Sequence, residues 1–259
     1  MVEETIMATD HFADHERRDF LRCAGNGLAL LAFAGWPNIA VAQTPAGSPL
    51  KIGMVGAGRE GSALGALFIK AGHPVMFSSR HPENLKDLVA GLGPLAQAGT
   101  VEQAIAFGDA VAMVVPYAAV EAIGKAHGSV LATKALVMDV SNPIARRDGD
   151  DLVKWVGEQG GAGLASAKLL PGARIVRAFN AIGARRLAEL AHRPGDPVGV
   201  PIAGDDPKAI AVAQSLIRAI GFEPVLVGGL AMGKYLLPGT PLAGERTPAE
   251  IRRIAGGLQ

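Results

Sequence analysis

Gly56-Ala57-Gly58-Arg59-Glu60-Gly61 sets three glycines at the GxGxxG spacing. That spacing suits a loop whose backbone N–H groups close on a pyrophosphate. Gly56 permits a tight turn, Gly58 lets a phosphate approach the backbone, and Gly61 with Gly65 lets a helix lie close on a sheet. In a chain with 34 glycines the sextet alone is weak evidence. Its context strengthens it, because the strand-like run Lys51 to Val55 precedes it and a helical pattern follows. A site for NAD places Asp or Glu about 20 residues further on, against the ribose 2′-hydroxyl. Here the chain reads Ser78-Ser79-Arg80. Hydroxyl donors and a guanidinium suit a 2′-phosphate, so the pattern favours NADP(H). Glu83, after Pro82, reads as the first turn of the next helix, where its charge suits the dipole.

These residues need strands to carry them and helices to separate the strands. The run 51–55 is followed by a helical segment, 61–71, with Leu64, Phe68 and Ala71 on one face. Further strands are expected at 75–78, 111–115, 136–140, 174–178, 198–203 and 223–227, with helical patterns between most of them, such as 118–126 and 207–220. Alternation of this kind predicts an α/β fold, a doubly wound parallel sheet with helices on both faces. Thr247 to Glu250 is a capping box with Pro248 at the first helical position, which predicts a short C-terminal helix. The expected organisation is an export signal over 1–42, a linker over 43–50, a Rossmann domain over 51–230 and a tail over 231–259.

Taken with the loop, "SSR" at 78–80, "VVP" at 114–116, "DVSNP" at 139–143, "LLPGARIVRAFNAIGA" at 169–184 and "VPIAGDD" at 200–206 form a wider pattern. It resembles the NADP oxidoreductase family that includes the coenzyme F-420-dependent NADP reductases, from Lys51 to about Val227. The resemblance implies that Ser79 and Arg80 hold the 2′-phosphate and that Val115 and Pro116 border the nicotinamide. It further implies that Asn142 and Asn180 line the pocket where the hydride acceptor stacks. Arg59-Glu60 departs from the smaller or uncharged residues usual in that loop, and the tail after Leu230 departs as well.

Hydride transfer between flat rings needs positioning and exclusion of water more than a protein nucleophile. Pro116, Ala181, Ile182 and a few amides would serve, and Tyr117 is a candidate proton donor to a carbonyl or imine. No serine stands in a GxSxG context. The acceptor stays open among coenzyme F-420, a flavin, a quinone, a ferric chelate and a small carbonyl or imine. An exported NADP-binding or assembly protein without turnover is the alternative, and a collapsed cavity over the nicotinamide would favour binding alone. The segment 144–169 is longer than an ordinary connection and is expected to act as a cover, with a solvated charge cluster at 146–151.

Arg17-Arg18-Asp19-Phe20-Leu21 precedes an apolar run, Ala24 to Trp36, of 13 residues. A membrane span needs about 20. With Ala40-Val41-Ala42 as a small-residue cleavage pattern, the segment resembles a twin-arginine export signal. That resemblance implies a precursor handled by the twin-arginine machinery, a mature chain from about Gln43 and a periplasmic location. The formal charge of +1 rises to +4 when residues 1–42 are set aside, since six acidic and three basic residues go with them. So mild a charge, without a basic run interleaved with aromatics, gives no sign of nucleic-acid binding. The single cysteine, Cys23, lies in the leader, so no disulfide is expected in the mature chain. His73, His81, His127 and His192 show no metal-ligand spacing. Whether Tyr235, Leu236 and Leu237 bury against the domain or against a second copy in a homodimer stays open.

Overall fold

The computed structural model describes residues 49–258. The expected export signal, including Arg17 and Arg18, lies outside the described residues. The frame is an eight-stranded sheet in the order β3-β2-β1-β4-β5-β6-β7-β8. Its strands are β1 (Ile52–Val55), β2 (Val75–Ser78), β3 (Ala96–Gly99), β4 (Ala110–Met113), β5 (Leu136–Asp139), β6 (Ile175–Arg177), β7 (Gly199–Gly204) and β8 (Glu223–Gly228). Buried runs such as Ile52–Val55, Ala110–Met113 and Leu136–Asp139 are covered on both faces, as inner parallel strands must be.

Two packed layers sandwich this sheet. On one face Ile52, Met54 and Met138 join Leu64 and Phe68 of helix α1 (Arg59–Lys70) and Leu216 and Ile217 of the helix Pro207–Ala219. On the other, Val55, Val111 and Val137 pack with Ile105, Val120, Ile123 and Val156. Strand order reverses across β1, whose neighbours are β2 and β4. A crevice therefore opens at the carboxyl ends of these strands, where ligands bind in open α/β sheets.

Two strands differ from expectation. β3 reads Ala-Gln-Ala-Gly, with no β-branched residue, and pairs with β2 as an edge strand through backbone alone. β7 runs antiparallel to β6, so the sheet is not wholly parallel. The reason lies in the connection. Helix Ala184–Leu190 packs against α1 beside the nucleotide loop instead of crossing back over the sheet. β7 must then start from the edge where β6 ended and run the other way.

The segment 144–169 is also not an open cover. It folds into three helices, Ala145–Asp148, Asp150–Glu158 and Ala162–Leu169. Leu152, Trp155, Val156 and Ala165 turn it onto the sheet face as part of the second layer. The tail docks on the domain as well. Leu236, Leu242, Ile251 and Ala255 bury with Val225 and Val227, and the capping box of Thr247 and Glu250 starts the helix Pro248–Gly256. Among the described residues no helix is long and apolar enough to cross a membrane.

Candidate active site

Helix α1 begins immediately after the glycine loop, and no side chain caps its N-terminus. Its first N–H groups are left for a ligand, and the helix dipole favours an anion there. Gly56 has φ +106°, a conformation that side chains rarely adopt, and it redirects the chain from β1 into the helix. Its N–H donates to Ser78 Oγ at 3.1 Å. Ser78 is buried, so its hydroxyl holds the loop in place instead of reaching a 2′-phosphate, a correction to the reading of all three residues as ligands. Ser79 Oγ accepts from the His81 N–H, while Arg80 is exposed at the end of β2 and makes no hydrogen bond among the described residues. Glu83 lies in the short turn of 3-10 helix Pro82–Leu85, beside His81.

In front of the loop lies a cavity of about 670 Å³. Gly58, Arg59, Glu60, Val115, Pro116, Asn142 and Asn180 all line it, whereas Ser78, Ser79, Arg80 and Tyr117 do not. Tyr117 is fully buried, with its hydroxyl on the Ala162 carbonyl and the Ser166 hydroxyl. Burial, partly offset by the Ser166 hydrogen bond, pushes its hydroxyl up to about 12. Tyr117 is therefore a packing residue and drops out as a proton donor.

The wall opposite the loop is built on a polar network that pattern reading missed. Asp139 and Arg177 end β5 and β6 as register partners. Their side chains are fully buried and meet at 2.5 Å, Nη1 to Oδ2. Asp139 also accepts from the N–H and hydroxyl of Ser141 and from Ser166 Oγ at 2.7 Å. Arg177 Nη2 donates to the Ser141 carbonyl at 2.9 Å. The turn after β5 is thereby fastened to the strand after it.

Asn180 takes its place from this frame. Its Nδ2 donates to the carbonyls of Asp139 and Ser141, and its own carbonyl accepts from Asn142 Nδ2 at 2.6 Å. The preceding residue, Phe179, adopts φ +57°, a strained conformation for an aromatic. Its ring is anchored edge-on against Phe222. Arg147 Nη2 donates to the Asn142 carbonyl, so that exposed arginine also lines the site, while Arg146, Asp150 and Asp151 of the charge cluster stay solvated.

Among the described residues three buried side-chain polar atoms have no partner: Glu60 Oε1, Asn180 Oδ1 and Arg177 Nε. Glu60 and Asn180 line the same cavity. Unpaired buried oxygens are costly, and a ligand that donates or accepts hydrogen bonds would relieve them. An open glycine cradle, uncapped helix N–H groups and a free amide oxygen together fit a dinucleotide. Its pyrophosphate would lie on Gly58 and Arg59, and its carboxamide on the Asn180 side.

Comparison with known proteins agrees with this geometry. Residues 51–143 match the family described as NADP oxidoreductase coenzyme F420-dependent. The chain is similar to oxidoreductases of the NADP-dependent kind. Over 201 residues it is 29% identical to metalloreductase STEAP3 of Rattus norvegicus, a match that covers 75% of this chain and 37% of that protein. The chain thus spans little more than a third of that relative's length. A hypothetical protein of Sinorhizobium meliloti, SMa0349, superposes with a TM-score of 0.63 at 26% identity, covering 77% of this chain and 96% of its own. Pyrroline-5-carboxylate reductase of Coxiella burnetii shares the fold at a TM-score of 0.51 and 16% identity, over 68% of this chain and 59% of that one.

Proposed function

We propose that the chain is an NADPH-dependent reductase that passes hydride to a flat-ring or small acceptor seated in the cavity beside Asn142 and Asn180. The observation that carries this reading is the cavity itself. It is open, and it joins the uncapped start of α1 to a wall bearing an unpaired amide oxygen. A collapsed space would have favoured binding without turnover. The similarity of residues 51–143 to the NADP oxidoreductases supports the choice of cofactor.

When bound, the reduced dinucleotide supplies hydride at its nicotinamide ring. The chain's part is to hold and orient. Gly58 and the N–H groups at the start of α1 take the pyrophosphate, and Ser79 with Arg80 takes the 2′-phosphate. Val115 and Pro116 border one side of the ring, and Asn180 Oδ1 accepts from its carboxamide. The acceptor stacks between that ring and the Asn142 side, with Ile182 helping to exclude water. A flavin or coenzyme F-420 suits the flat geometry, and a small carbonyl, imine or ferric chelate is the alternative class.

Fluorescence titration with NADPH and NADH tests the cofactor. Replacing Arg80 with Glu removes a charge-assisted contact and adds repulsion, so NADPH affinity should fall on the order of a hundredfold while NADH changes little. Equal losses for both nucleotides would remove the 2′-phosphate assignment. Adding riboflavin or oxidised coenzyme F-420 and following its visible absorbance then tests turnover.

We further propose that the precursor is exported folded, with its cofactor in place, by the twin-arginine route to the periplasm. The paired Arg17-Arg18 and the short apolar run support this. Residues 1–43 fused to a reporter that is active only after folded export should deliver it, and replacing both arginines with lysine should abolish delivery. Unchanged export would count against the signal.

A further inference from the structure

We propose that Glu60 is the proton donor of this reduction, delivering its carboxyl proton to the acceptor's heteroatom as hydride reaches the conjugated atom that accepts it. The inference rests on the reductase reading and adds to it the group that completes the chemistry.

Glu60 is the second residue of α1 and lines the cavity together with Asn142, Phe179, Asn180 and Ala184. An acid aimed at solvent would be hydrated, and one with a structural role would be paired. Arg59, Arg147, Arg185 and Arg186 line the same cavity, yet none of them forms an ion pair with Glu60. Arg147 is held by Asp148, and Arg186 by Glu189 and Glu245. Glu60 Oε1 is left buried with no partner.

A carboxylate in that setting pays a desolvation cost that a neutral carboxyl avoids. Burial, partly offset by the Ala184 N–H, pushes the Glu60 carboxyl up to about 7. The elements packed on α1 supply no ion pair to reverse this. β1 and β2 carry no ionisable side chain, Lys86 and Asp87 of the helix Lys86–Leu92 do not line the cavity, and Ala184–Leu190 brings only Arg185 and Arg186 to it, its Glu189 lying outside the cavity and paired with Arg186. A neutral carboxyl has an O–H that needs an acceptor, and the cavity is where that acceptor must come from.

The step balances. In a carbonyl or imine the π bond breaks, a new C–H bond forms with the hydride and its electron pair, and the heteroatom forms an O–H or N–H bond with the Glu60 proton; in a flavin the hydride forms the N5–H bond, the N5=C4a and C10a=N1 π bonds give way to C4a=C10a, and N1 takes the proton. The reduced nicotinamide is oxidised, the acceptor is reduced by two electrons, and the Glu60 carboxylate regains a proton from solvent. An acid poised near the working pH is effective in both halves of that cycle.

Two kinds of measurement test it. On the protein without cofactor, infrared difference spectra between wild type and Glu60→Gln should show a protonated carboxyl band at pH 6 that is lost by pH 9. The folded chain holds this proton where the unfolded chain releases it. Wild-type stability should therefore fall relative to Glu60→Gln as pH rises from about 4.5 to about 7, and level off above. With NADPH and the probes riboflavin, cyclohexanone and 1-pyrroline, the wild-type rate should fall about tenfold per pH unit above the Glu60 titration. Glu60→Gln should be pH-independent and about a hundredfold or more slower, with NADPH affinity within about threefold, and Glu60→Asp should restore part of the rate. A Glu60→Gln rate and profile equal to wild type, or no titrating carboxyl band, overturns the assignment while the reductase reading stands. Wild type that binds NADPH but oxidises it with none of the probes overturns both.

Discussion

Replacing Arg177 with Met is expected to lower the free energy of unfolding by about 3–5 kcal/mol, measured by urea denaturation. The guanidinium is fully buried and meets Asp139 at 2.5 Å. A methionine fills much of the same volume but leaves the Asp139 charge without its cation. Donors from Ser141 and Ser166 remain, so the charge is not wholly abandoned. The cost therefore belongs at the lower end of that range if those hydroxyls tighten, and at the upper end if the helix Ala162–Leu169 shifts away. Space there is tight. A side chain at Gly163 or Gly233 would run into the Arg177 stem or the backbone of Leu230, so the arginine is walled in on both sides. A double variant with Asp139→Asn should recover a large part of the loss, because both charges are then gone. Loss in the single variant with no recovery in the double would show that packing around the stem, rather than the ion pair, holds this region. NADPH affinity should fall alongside stability in the single variant, since Arg177 also fastens the Ser141 carbonyl and, through that turn, Asn142 and Asn180.

The position of this pair explains what could and could not be read ahead of the structure. Most strands and the helices around the loop stand where apolar runs and capping signals put them, because burial on two faces leaves a strong pattern. β3 leaves none, since Ala96 to Gly99 is recruited by the open edge of β2 and not by its own side chains. The reversal of β7 was equally silent. Periodicity marks an element but carries no information on its direction, which here depends on where a seven-residue helix comes to rest. Within the site, the loop residues and Pro116, Asn142 and Asn180 do meet around one cavity. Asp139 and Arg177 were overlooked although each is a charge closing an otherwise apolar strand, an expensive arrangement unless the two are partners. Their pairing needs β5 and β6 to be neighbours, and strand order is a property of the fold. Tyr117 was misjudged for a similar reason: it follows the cavity-lining Pro116 in sequence, but the turn of 3-10 helix at Tyr117–Ala119 sends its ring inward.

Two glycines of the same loop, Gly58 and Gly61, should respond differently to the same added methyl. At Gly61 a Cβ would sit 1.9 Å from the Gly56 carbonyl oxygen, and backbone cannot swing aside as a side chain can. Gly56 has nowhere to retreat, because its own Cβ position lies 2.3 Å from the Val114 carbonyl oxygen and its φ is already +106°. Gly61→Ala must therefore push α1 away from the loop, at about 1–3 kcal/mol or more in stability. NADPH affinity should fall with it by on the order of a hundredfold, as the helix N–H groups lose their aim. At Gly58 a Cβ meets nothing within 4 Å, so Gly58→Ala should leave the melting temperature close to wild type. The open space beside Gly58 is the approach that the pyrophosphate needs, and a methyl there should weaken NADPH by about tenfold or more without any loss of fold. Thermal melts and NADPH fluorescence titrations on both variants separate the two effects. Gly58→Ala with wild-type affinity would mean that the phosphates do not pass over this loop, whatever Gly61→Ala does to stability.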